Sequence, residues 1–127
     1  KMNWFIISAG LVAAFTTIGH FAIGTKEYLR PMLAADIEPV PKQVMHAVFH
    51  YVSVYLILSS LALLAVGFGF LTDPLPSLMV RFIALNYLFF AIWQIVIASA
   101  SKIPRGILKM FQWVFFIIIA VLAWLGG

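Results

Sequence analysis

The sequence predicts an all-α fold, a four-helix transmembrane bundle running up-down-up-down, and three observations predict it. The 127 residues are 65% hydrophobic and only 9% charged, against about 45–50% apolar and about 25% charged in a soluble domain. The eight basic and four acidic residues fall in narrow bands that leave four long uncharged stretches. Each stretch is close to the ~20 apolar residues that cross a hydrocarbon core of roughly 30 Å. The same composition excludes a soluble enzyme, a nucleic-acid-binding domain and a disordered tail. With no cysteine, disulfides, thiolate metal sites, iron–sulfur clusters and thiol nucleophiles are excluded together.

The charges delimit each helix in turn. Lys1 to Lys26 encloses 24 uncharged residues, which predicts a first helix near 3–25. Its apolar run exceeds the about 7–15 residues of a signal-peptide core and no small-residue cleavage site follows, so it is expected to be retained. Ala9, Gly10, Ala13, Ala14 and Thr17 give it a small-residue face that permits close approach to another helix, in the same chain or in an oligomer. In the link at 26–41, Tyr28, Leu29, Met32, Leu33 and Ile37 alternate with charges, a composition suited to the membrane surface. Lys42 to Asp73 encloses 30 uncharged residues and predicts a second helix near 43–69. Pro41, just before it, suits a first turn, where the missing N–H is not needed.

Thr72-Asp73-Pro74-Leu75-Pro76 reads as a tight turn. Arg81 to Lys102 then encloses 20 uncharged residues, giving a third helix near 77–100, with Arg81 snorkelling outward or paired with Asp73. Ser101-Lys102-Ile103-Pro104 separates it from a fourth helix near 105–126. Together these make 1–127 a single integral membrane domain. Trp4, Trp113, Trp124 and Tyr28 read as interfacial anchors or packing, and the twelve phenylalanines as lipid-facing bulk or core.

The basic residues are asymmetric. Lys26, Arg30, Lys42, Lys102, Arg105 and Lys109 lie at one end of the predicted bundle, and Lys1 and Arg81 at the other. Positive residues concentrate in short cytoplasmic loops. The expected setting is therefore the inner membrane of a bacterium, with both termini on the outer side. Lys26, Arg30 and Lys42 are candidates for a gate or an anion contact.

Polar side chains inside predicted spans are few, and such residues normally mark function or helix–helix contact. His20 precedes Lys26 by six residues and His50 follows Lys42 by eight; Gln94 precedes Lys102 by eight and Gln112 follows Arg105 by seven. At about 1.5 Å per residue, all four lie roughly 9–12 Å from their charge markers, one from each helix at one depth. Asn86 adds a polar group expected to join two helices. His20, Gly24 and Glu27 share a face if the first helix continues that far, and His46 lies one turn from His50, so Glu27 and His46 are candidates to meet.

Four readings of this layer are open. Two imidazoles, joined by Glu27, suit a transition metal; two histidines at one depth suit the axial positions of a haem. They also suit a proton relay or a path for a small polar molecule, or a general base acting on a lipid or quinone. No paired-aspartate signature, serine–histidine elbow or phosphate-binding loop is present, so no catalytic residue is assigned. The leading expectation is a protein that binds or moves a small ligand. The alternative is a non-catalytic accessory or assembly subunit of a membrane complex, and the third is a membrane enzyme. Expected partners are the bilayer and either further copies of the chain or a larger membrane complex, with no nucleic acid.

His20-x3-Gly24-x-Lys26-Glu27-x2-Arg30-Pro31 followed by Pro41-Lys42-x7-His50 resembles a family of small bacterial four-helix inner-membrane proteins without an assigned function. The similarity covers roughly 20–60; beyond it only hydrophobicity is shared. Lys26 stands where that family more often has arginine, and His46 where it has an aromatic residue. The resemblance implies that His20, Glu27, Arg30 and His50 form a characteristic set, and it supplies no reaction.

Overall fold

The first helix does not stop at its charges. In the computed structural model, which describes residues 1–71 and 75–127, α1 (Trp4–Gly19) runs directly into a π-helical segment (His20–Leu29) and then α2 (Arg30–Ala34). Together they form one rod of 31 residues, Trp4–Ala34. The expected surface link at 26–41 is thus mostly helix, and only 35–38 separate it from α3 (Pro39–Gly67). Proline explains where the π register ends. The Arg30 N–H still reaches back five residues to Thr25 O, but Pro31 has no N–H to give. The return to α geometry therefore falls where a bond would be missing in either register.

Helix α3 starts at Pro39, with Pro39 and Pro41 in its first turn, and ends in a Schellman motif. Gly69 N–H donates to Val66 O at 3.0 Å and Phe70 N–H to Ala65 O at 2.9 Å, while Gly69 takes the left-handed φ of +82° that this cap needs. Helix α4 spans Leu75–Ala100; the expected turn at 72–76 and the Arg81–Asp73 pair fall largely or partly outside the described residues. Arg81 instead donates to Gly127 O at 3.2 Å and lies over the Trp124 ring at 5.1 Å.

The fourth expected helix is broken. After Lys102 and Arg105 take left-handed φ values of 61° and 56°, one turn of helix, α5 (Gly106–Lys109), ends at Met110. The chain restarts as α6 (Gln112–Gly126). At 15 residues, α6 measures about 22 Å at roughly 1.5 Å per residue, short of a bilayer core of about 30 Å. At Gly106, the first residue of α5, a Cβ would lie 2.8 Å from Ala98 O, so the chain passes the end of α4 at backbone contact. Three helices, Trp4–Ala34, Pro39–Gly67 and Leu75–Ala100, are long and apolar enough to cross a membrane.

Packing is antiparallel and close. Along α1 and α3, Ile7 meets Gly67, Gly10 meets Leu64, His20 meets Ser53 and Gly24 meets Phe49, one register read in opposite directions. Ala9, Gly10 and Ala13 are buried within the chain, so the small-residue face of the first helix is used internally. Asn3 ties three helix ends: its Oδ1 caps α1 by accepting from Ile6 N–H at 3.2 Å. Its Nδ2 donates to Gly126 O at 2.9 Å, and its backbone N–H donates to Gly67 O at 2.8 Å. The core joins Leu56 and Leu63 of α3 to Val80, Ile83 and Tyr87 of α4 and Ile119 of α6. Outward, Leu11, Ile18, Leu58, Phe82, Trp93 and Leu125 are exposed, an apolar surface no aqueous setting explains.

Gly67 is the sharpest test of this packing. A Cβ there would sit 2.8 Å from the Ile7 backbone nitrogen, so α1 and α3 must separate. Gly67→Ala is expected to destabilise the protein by about 1–3 kcal/mol in a reversible unfolding titration in mixed micelles. Gly19→Ala, with nothing within 4 Å, is expected to leave stability unchanged or raised.

Candidate functional site

The site is built at the end of the molecule where the π segment begins. Because α1 and α3 are held in register, His20 at the first π position lies over the face of α3 that carries Phe49, His50 and Ser53. The His20 ring stacks on Phe49 with centroids 4.1 Å apart and planes 19° apart. Its Nε2 lies 2.8 Å from Ser53 Oγ, and His50 Nδ1 lies 3.1 Å from the same oxygen. Ser53 Oγ–H donates to Phe49 O, one turn back, at 3.1 Å. One buried hydroxyl therefore joins two histidines from different helices. Ser53 was not singled out in the sequence; its position three residues after His50, on the same helical face, is the signal that could have found it.

Gln94 of α4 and Gln112 of α6 form the second polar pair. Gln94 Nε2 donates to Gln112 Oε1 at 2.8 Å, and Gln94 Oε1 is buried without a partner among the described residues. Thus the four polar residues read as one layer stand as two bonded pairs, His20 with His50 through serine and Gln94 with Gln112 directly. Between them lies a cavity of about 470 Å³, within the about 300–1,000 Å³ usual for small-molecule sites. Both His20 and Gln112 line it. Apart from the hydroxyls of Thr16, which donates to Val12 O at 2.8 Å, and of Tyr28, the rest of its wall is apolar and strongly aromatic, with Phe15, Phe49, Phe111, Phe115 and Phe116, and with Gly24 from the π segment. These five phenylalanines, expected as lipid-facing bulk or core, shape a cavity. Phe15, Ile18 and Ile23 of the wall are also at least half exposed on the apolar surface, so the cavity opens on that side.

The remaining candidates lie elsewhere. Lys26, Glu27 and Arg30 are exposed on the π segment and the start of α2, and Lys42 is half-buried in the first turn of α3. Glu27 does not share the face of His20 and Gly24: Gly24 is buried and Glu27 is exposed. The physical reason is the π geometry, whose i→i+5 bonds put more residues in each turn, so seven residues no longer complete two turns. His46 packs beside His50 with ring centroids 5.3 Å apart. Asn86 turns back on its own helix and donates to Phe82 O at 2.7 Å, and among the described residues it makes no bridge between helices.

For a metal, the donor set does not converge. Among the described residues no group of three or more His, Asp or Glu side chains is placed to hold an ion, and Ser53 engages a nitrogen of each histidine. A haem between His20 and His50 meets the same obstacle, because the two bonded nitrogens converge on one serine oxygen. No family model, curated protein or solved structure matches the chain.

The serine bridge has a measurable weight. Ser53→Ala leaves a histidine N–H on each helix without its acceptor and is expected to cost about 1–2 kcal/mol by the same unfolding titration. Ser60→Ala is the comparison, since Ser60 Oγ bonds chiefly to Leu56 O of its own helix at 2.6 Å; it is expected to cost about 0.5 kcal/mol or less.

Proposed function

We propose that this chain is an integral membrane protein that binds a small lipid-soluble molecule in the cavity between α1, the π segment, α3 and α6. One observation carries the reading. The cavity is walled by aromatic rings, opens on the apolar surface, and carries a few hydrogen-bonding groups, His20 and Gln112 among them, the composition of a small-molecule site. By contrast, the hollow of about 320 Å³ between α4 and α6 is lined by Ala84, Leu85, Leu88, Ala120, Val121, Trp124 and Leu125. No histidine, amide or hydroxyl is available there to orient a ligand.

Within the same proposal, the rod Trp4–Ala34, α3, α4 and the shorter α6 form an up-down-up-down transmembrane bundle in a bacterial inner membrane. The end bearing Lys26, Arg30, Lys42, Lys102, Arg105 and Lys109 faces the cytoplasm and both termini face outward, as the basic asymmetry favours. The resemblance of 20–60 to small bacterial inner-membrane proteins points the same way. A short α6 is accommodated by local thinning or by partner helices, each at modest cost.

Two experiments test the proposal. Extracted with its surrounding lipid into polymer-bounded discs, the protein is expected to carry a lipid-soluble molecule enriched far above its share of the bulk membrane, seen by mass spectrometry of the organic extract. In Gly24→Leu that enrichment is expected to fall several-fold with the fold intact. A Cβ at Gly24 has the Phe49 ring, at 3.5 Å, and His20 Nδ1, at 3.8 Å, as its nearest neighbours, ordinary contact distances, and Gly24 lines the cavity, so the added side chain enters it. An extract identical to bulk lipid in both proteins removes the ligand reading and leaves a structural, accessory role for the polar groups. For the topology, a reporter fused after Gly127 is expected to be active only on the outer side; cytoplasmic activity inverts the assignment.

A further inference from the structure

We infer that the molecule in this cavity carries a ring hydroxyl: a phenol or hydroquinone with an apolar tail. The inference rests on the ligand reading of the same cavity and follows from counting protons. Ser53 Oγ has one proton and two lone pairs, and three groups surround it: His20 Nε2 at 2.8 Å, His50 Nδ1 at 3.1 Å and Phe49 O at 3.1 Å. The carbonyl only accepts. All three contacts are satisfied together only when the serine proton goes to Phe49 O and each histidine donates to Oγ. His20 is thereby fixed as the Nε2–H tautomer. No acidic side chain lines the cavity to balance a second proton, and an unpaired charge in an apolar wall is costly. His20 Nδ1 is left with a lone pair. That atom lies on the Gly24 side, 3.8 Å from where a Cβ on Gly24 would stand, and Gly24 lines the cavity.

The opposite wall has the complementary polarity. Gln112 Oε1 is engaged by Gln94 Nε2–H at 2.8 Å, so the Gln112 NH₂ remains to donate. The reversed assignment would bury an orphan N–H on Gln94 in place of an orphan carbonyl, and buried N–H orphans are the rarer. The cavity therefore presents an acceptor on one side and a donor on the other. A hydroxyl suits either side, giving its proton to His20 Nδ1 or accepting from Gln112, and the two hydroxyls of a hydroquinone can serve both. Ketones, esters and quinones only accept and bring no proton to His20 Nδ1. The ring follows from the walls: His20 and Phe49 are already stacked, Phe15 and Phe115 lie 6.0 Å apart in a tilted pair, and aromatic faces favour a further ring over an aliphatic chain.

The probes are 4-nonylphenol and its methyl ether, 4-nonylanisole, which differ by the one proton that matters. Binding is measured by equilibrium dialysis to the protein in lipid nanodiscs, against empty discs. The phenol is expected to bind about tenfold more tightly than the ether. His20→Phe, which keeps a ring against Phe49, is expected to abolish that preference while leaving ether binding in place. In the wild-type protein, ¹⁵N-histidine NMR reads the same contact independently: His20 Nδ1 is expected to appear unprotonated and to shift on adding the phenol but not the ether. Equal binding of the two probes, or a protonated Nδ1 in the free protein, overturns the hydroxyl assignment while the ligand reading stands. Binding of neither probe overturns the hydroxyl assignment; if the organic extract also matches bulk lipid, the ligand reading falls with it.

Discussion

The close approach of α1 to α3 is the constraint on which the rest depends. Gly67 lets the Ile7 backbone come to within what would be 2.8 Å of a Cβ, and Gly10 does the same against Leu64. In an apolar solvent, helices gain nothing by hiding apolar surface from each other, so contact between backbones and complementary side chains must hold them. Once that contact fixes the register at one end, the residues at the other end have no choice of partner. Counting along the two helices from Ile7 and Gly67 brings Thr17 to within 3.3 Å of Ser60, and then His20 to Ser53. The polar site is thus a consequence of glycines roughly 15–21 Å away along the same helices.

The π segment converts this register into a cavity. Had α geometry continued past Gly19, the side chains after His20 would have kept the spacing that packs α1 against α3. The wider turn shifts each successive side chain around the axis, so Gly24 faces Phe49 and the cavity while Glu27 moves to the outside. Wider turns of this kind recur at functional sites because they place side chains at angles that α geometry does not offer. The break between α5 and α6 acts similarly from the other side. It lets Phe111, Gln112 and Phe115 meet the π segment at the start of a helix, where the side chains are not yet confined by a preceding turn.

Much of the helical plan was legible in the charges. Lys26, Lys42, Arg81 and Lys102 bracket the apolar runs because a charge inside hydrocarbon is costly, and α3 and α4 lie within a few residues of where those brackets put them. The ends of the first and fourth helices were not legible. Charged residues continue a helix as readily as they end it, so Lys26 and Glu27 could not stop the first. The fourth helix breaks at Met110, whose backbone leaves helical geometry at φ −98° and ψ 68°, and no local pattern encodes that departure. In the site, nearness along the bundle was legible and partnership was not. Spacing from the charges placed His20, His50, Gln94 and Gln112 at similar depth, but it is blind to rotation about the helix axis. Rotation decides that Ser53, an unremarked small residue, takes both histidines, that Asn86 bonds its own helix, and that Glu27 stays outside. The aromatic wall was hidden for the same reason: phenylalanines facing lipid and phenylalanines facing a cavity have the same composition and nearly the same periodicity.

A polar group in such surroundings acquires a direction that it lacks in water. In solution a serine hydroxyl turns freely and either imidazole nitrogen carries the proton, because water supplies whichever partner is missing. At 4% exposure, Ser53 has no such reserve, and an unmet donor or acceptor there costs about 1–3 kcal/mol. Its single proton is therefore sent to the only neighbour that cannot donate, the Phe49 carbonyl, and each histidine is fixed in turn. The same scarcity orients the Gln94–Gln112 pair, with its orphan on the oxygen. The polarity of the cavity is set by these bonds outside its lumen, between groups that face away from any occupant. A ligand of the proposed kind would meet an acceptor and a donor already oriented, so that the cost of ordering them would fall on folding rather than on binding.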